Sequence, residues 1–160
     1  MARQYHLIIG IYSLLMILHL GTSFLLFATK MGWSLPSIQQ FYLGDSEIHL
    51  LPKSEMGLLE TAVQHLAAVG IISFILSHFL IFIPQISSST KWILGLSFPL
   101  AGLLNLASGF FIIYFGPAFI VFKLLSFVLF QAAYIAILWI LIRAALVESK
   151  INNPRTSLKI

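Results

Sequence analysis

The sequence predicts an all-α fold, a transmembrane four-helix bundle with both N and C termini cytoplasmic. Three observations predict it. Of 160 residues, 59% are hydrophobic and only 9% charged, against roughly 25% charged in a soluble domain. Mean hydropathy is +1.00. The apolar residues also fall in four long blocks without strand alternation, each able to cross a hydrocarbon core of about 30 Å. Barrel strands of about 10 residues do not fit blocks of this length. Helices satisfy every backbone group internally, as lipid demands.

The first span is expected from about Tyr5 to Ala28. It follows Arg3, but its apolar run exceeds a signal-peptide core of about 7–15 residues, so it reads as a retained helix. The second runs from about Met56 to Ile83, with Ser54 as cap and Glu55 against the helix dipole. Pro84 and the polar run Gln85–Thr90 end it. The third covers Trp92 to Phe115, with Pro99 expected to loosen its first turns. Gly116–Pro117 makes a tight turn into the fourth, about Ala118 to Val147, so the last two spans should be antiparallel neighbours. Gly70, Ala67, Gly102 and Ala132 are small enough for close helix approach.

The chain thus reads as a single membrane domain, residues 1–160, with an outer loop over 29–55 and a cytoplasmic tail over 148–160. Within the loop, Trp33, Phe41 and Tyr42 are interfacial types, and Leu35–Leu43 is expected to form a short surface helix. Arg3, Lys91, Arg143, Lys150, Arg155 and Lys159 fall on one side. Lys30 and Lys53 fall on the other, with Lys123 just inside span four. The positive-inside rule then sets the loop outside. A multi-pass protein of a bacterial inner (cytoplasmic) membrane is expected, with the lipid bilayer as first partner.

Several function classes are excluded. The absence of cysteine removes disulfides, thiolate zinc and Cys-ligated iron–sulfur clusters. No basic stripe suits nucleic acid, no glycine-rich loop cradles phosphate and no HExxH is present.

Ionisable groups within spans are costly and mark candidate sites. Here they are His6 and His19, then Glu60, His65 and His78, then Lys123, with Gln64, Asn105 and Gln131 adding polar groups. Counting from the outer helix ends, His19 and His65 each lie nine residues in, and His6 and His78 each 22. Equal depths suit two pairs of facing imidazoles, each able to ligate one haem iron. These histidines in a four-helix bundle resemble the bis-histidine b-type cytochromes of respiratory membranes. The resemblance implies haem b, electron transfer and a quinone or redox partner subunit. Lys123 or Lys53 would then meet the propionates.

The wheel opposes the two-haem version, because 13 residues at about 100° leave His65 and His78 roughly 140° apart. The outer pair is therefore the stronger candidate. Two other readings stand beside it. One is a non-catalytic accessory subunit or assembly factor of a membrane complex. The other is a proton, metal or small-solute carrier built on Glu60, Gln64, His65, Asn105 and Gln131. Glu60 and Lys123 are expected to form an ion pair if they do not serve a ligand.

Overall fold

In the computed structural model, the backbone is described for residues 3–151 and side chains for residues 7–146. Five α-helices follow one another: α1 Arg3–Lys30, α2 Leu35–Leu43, α3 Glu55–Ile81, α4 Ser88–Phe115 and α5 Ile120–Ile151. Pro117–Phe119 forms a single 3₁₀ turn between the last two. Four helices, α1, α3, α4 and α5, are long and apolar enough to cross a membrane. Among the described residues the ordered segments are helical, apart from one isolated bridge between Asp45 and Leu50.

Local chemistry fixes the helix ends. Ser54 Oγ accepts from Gly57 N–H at 3.1 Å and starts α3. Ser34 caps α2 in the same way through Ser37 N–H, and proline follows in its first turn. The third span begins at Ser88, a turn earlier than Trp92. Ser87 Oγ caps Thr90 N–H, and the Lys91 ammonium ties back to the Ile81 carbonyl at 2.8 Å. The polar run Ser88–Thr90 is thus helical, although polarity alone reads as loop. Helix α4 continues through Pro99. Gly116 takes φ +90°, a conformation glycine adopts without strain, and reverses the chain into α5.

The helices pack in the order α1, α5, α4, α3. Helix α5 is the most enclosed, with Phe127, Phe130, Tyr134, Ile137, Leu138 and Leu141 all buried. Helix α1 rests mainly against α5 and leaves Leu7, Ile11, Leu14, Leu18 and Leu25 exposed, which suits a lipid-facing surface. Of the small residues expected at close approaches, Gly102 is one. A Cβ there would stand 2.9 Å from Val69 Cγ1 and 3.1 Å from the Phe130 ring. Gly70 instead faces open space, and Ala67 and Ala132 are exposed.

Two apolar clusters stack along the bundle. One is built on Phe98, Phe130, Tyr134, Leu76 and Leu80. The other, at the loop end, joins Phe27, Ile112, Ile120 and Phe127 to Ile38 and Tyr42 of α2. Helix α2 therefore does not simply lie on a surface. Its Ile38 and Tyr42 are buried, and the Tyr42 ring packs 3.1 Å from where a Cβ on Gly109 would stand. Helix α2 caps the loop end of α4 and α5.

A buried lysine beneath the α2 cap

Lys123 projects from the first turns of α5 towards α4. Its ammonium donates to the Asn105 carbonyl at 2.8 Å and to Asn105 Oδ1 at 2.9 Å. The Tyr42 ring lies 5.9 Å away on the α2 side. Ser108 Oγ donates to the same Asn105 carbonyl at 2.6 Å, and Ser126 Oγ donates to the Lys123 carbonyl at 3.0 Å. Lys123 is only 6% exposed, and its acceptors among the described residues are neutral. The expected ion pair with Glu60 does not form: Glu60 is exposed on α3, while Lys123 binds Asn105. A buried cation normally keeps an anion beside it or loses its charge, so this position is built for one of those two outcomes.

Contacts between helices give a common depth scale. Val69 meets Gly102, and Ser77 meets Gly95, so α3 and α4 run antiparallel with Asn105 opposite the turn that carries His65. His65 and Asn105 share one level to within about one residue, roughly 1.5 Å, and the Lys123 ammonium reaches that level from about one turn nearer the loop end. His65 is exposed, and its Nδ1 meets the Thr61 carbonyl at 2.9 Å. A carbonyl only accepts, so this contact puts the proton on Nδ1 and leaves the Nε2 lone pair open. Metal-binding histidines are oriented in this way.

His19 is not at that level, which corrects the equal-depth expectation. Tyr12 of α1 packs edge-on against Phe79 of α3 at 5.3 Å between ring centroids. Counting from that contact, His19 lies level with Ile72, about seven residues or roughly 10 Å deeper than His65. The count from helix ends failed because α3 starts beyond the end of α1. His19 is exposed on the flank of α1, 6.1 Å from the Tyr134 ring. Two imidazoles so offset do not meet one iron.

Of the inner pair, His78 lies among the described residues. His78 is exposed between Phe74 and Phe82 on its own helix, at 6.1 and 5.0 Å between ring centroids, on a different face from His65 as the wheel requires. The His6 side chain lies outside the described residues. Among those described, no group of three or more His, Asp or Glu side chains is arranged to hold a metal ion.

The polar residues expected to line one lumen are divided. Gln64, like Glu60, is exposed on α3. Gln131 is buried and donates through Nε2 to Ser23 Oγ at 2.7 Å. Between Gln131 and Lys123, on the α1 side, lies an aromatic layer in which Phe27 stacks on Phe127 at 3.9 Å and Phe24 and Trp33 close around them. Lys53 does not reach Lys123. Its ammonium lies 4.7 Å from the centroid of the Phe41 ring. Sequence reading missed Tyr42, which roofs the lysine, and Tyr134, whose 0% exposure puts it at the centre of the bundle. Burial pushes the Tyr42 hydroxyl well above the usual tyrosine range. Its loop position signalled only an interfacial residue.

This fold defines the class: a polytopic helical membrane protein. Residues 32–152, more than half of the chain, match the family model Aq_1264_TM, described as a transmembrane helical domain, and the chain belongs to that family. The matched segment contains His65, Asn105 and Lys123 but not α1 or His19. No curated protein and no solved structure matches the chain.

Proposed function

We propose that the chain is a small membrane-embedded electron-transfer subunit in which His65 would hold the iron of one haem b at the loop-end level and Lys123 would meet a propionate. The observation that supports this most is the level shared by His65 and the Lys123 ammonium, one with an open Nε2 and the other buried with neutral acceptors. The donor set fits the group. A neutral imidazole is a good haem ligand, and an ammonium near the membrane edge offsets a carboxylate. Bound there, the iron would supply one-electron chemistry. The chain's own part is to orient the ring through the Thr61 carbonyl and to hold the Lys123 charge beside Asn105. Helix α2 shields the lysine from water through Tyr42.

Haem titration into the purified, detergent-solubilised full chain tests this reading. A saturable Soret shift at one haem per chain is expected, lost in His65→Ala and weakened about tenfold or more in Lys123→Met, as for loss of one oriented charge-assisted contact. A wild-type chain that gives no saturable shift overturns it.

A further inference from the structure

Helix α3 buries Ala62, Ser73, Leu76 and Leu80 against the bundle. On its opposite side Glu60, Gln64, Ala67, Ile71, Phe74 and His78 recur at alternating spacings of four and three residues, and all six are exposed. At about 100° per residue this stripe is centred roughly 160° from the buried side. It runs along most of the span, from Glu60 near the loop end to His78 near the other. Ile71 and Phe74, 61% and 73% exposed, suit a lipid-facing surface. Glu60, Gln64 and His78 do not. Polar groups within spans ordinarily face the bundle interior or a cavity, and Gln64 lies more than two turns beyond the start of α3 at Glu55. Among the described residues, none of these three side chains makes a hydrogen bond.

Alternating spacings of four and three residues are the seam along which two helices pack as a coiled coil. We infer that α3 pairs with α3 of a second copy of this chain along this seam, making the protein a membrane dimer about a two-fold axis normal to the bilayer. Copies inserted with one topology share an orientation, so their α3 helices run parallel. Each seam residue then meets its own counterpart at the same depth, which requires groups able to pair with themselves. A primary amide, a neutral imidazole and a protonated carboxyl each carry a donor and an acceptor. The polar residues of the seam are of these three kinds, and no lysine or arginine stands among them. Gln64 therefore bonds Gln64 of the partner subunit, and Glu60 and His78 pair in the same way at either end. Ala67 lets the two backbones approach between them. An unrelated partner would have to bring matching groups at three depths, whereas a second copy supplies them by symmetry. His65 lies roughly 140° around α3 from the centre of the seam, so the dimer does not draw on the proposed haem ligand.

The chain has no cysteine, so single cysteines placed in the full-length protein report the contact directly. The purified protein, diluted in liposomes, is treated with a mild oxidant and separated on a non-reducing gel. Ala67→Cys and Ile71→Cys are expected to give a disulfide-linked dimer. Leu129→Cys, on α5 and 54% exposed, should stay monomeric. Energy transfer between labelled copies in the same liposomes gives a second reading. Association should weaken about tenfold in Gln64→Leu, which removes the interhelical amide pair and keeps an apolar side chain in its place. No cross-link at either seam position, a cross-link at Leu129→Cys as abundant as at Ala67→Cys, or undiminished association in Gln64→Leu would each overturn the inference.

Discussion

Lys123 gives two hydrogen bonds to one residue, Asn105, one to its carbonyl and one to its side chain. The pair joins α5 to α4 just below the cap made by α2. Removing only the amide therefore strips one acceptor from a buried ammonium. Asn105→Leu is expected to destabilise the bundle by about 1–3 kcal/mol, measured by unfolding in mixed micelles. The double variant Lys123→Met with Asn105→Leu should recover much of that loss, because both polar partners are then gone. A double variant as unstable as the sum of the singles would show that the two residues are not coupled.

The α3–α4–α5 junction depends on Gly102. A Cβ there would stand 2.9 Å from Val69 Cγ1 and 3.1 Å from the Phe130 ring. Gly102→Ala should cost about 1–3 kcal/mol through overpacking, and Val69→Ala in the same chain should relieve part of it. Gly70→Ala, which meets open space, should be nearly neutral in the same unfolding assay.

The cap should respond to alkali. Burial raises the Tyr42 hydroxyl above its ordinary value of 10.0, so the folded chain holds that proton more tightly than the unfolded chain. Stability from this group is complete below about pH 10 and falls as pH rises above it. Trp33, beside Phe27 and Phe127 at the loop end, should report the loosening of α2 by its fluorescence. The alkaline transition should be absent in Tyr42→Phe, and its persistence there would assign it to another group.

Much of the architecture was legible because lipid leaves few choices. Blocks of apolar residues with no charge to spare can only be spans, and Gly116–Pro117 can only be a sharp reversal. Helix α2 was readable as a short surface helix among the interfacial residues Trp33, Phe41 and Tyr42, but not its inward-facing side, which follows from a glycine 67 positions after Tyr42, at Gly109. Lys123 was visible as a costly charge, yet its partner was assigned to Glu60. Sequence distance gave no sign that Asn105 stands opposite it. His65 and His19 were matched by counting from helix ends, a method that assumes level ends. Here α3 begins beyond the end of α1, and that offset, set by how α3 and α1 pack on α4 and α5, has no local sequence signal.

His65 and His19 lie about 10 Å apart in depth, and the haem level proposed above is that of His65. The most direct test is the reduced-minus-oxidised absorption spectrum of haem-loaded full-length protein, compared among wild type, His65→Ala and His19→Ala. A b-type difference spectrum is expected in wild type, surviving in His19→Ala and disappearing in His65→Ala. A spectrum lost equally in both variants, or kept in His65→Ala, would contradict it.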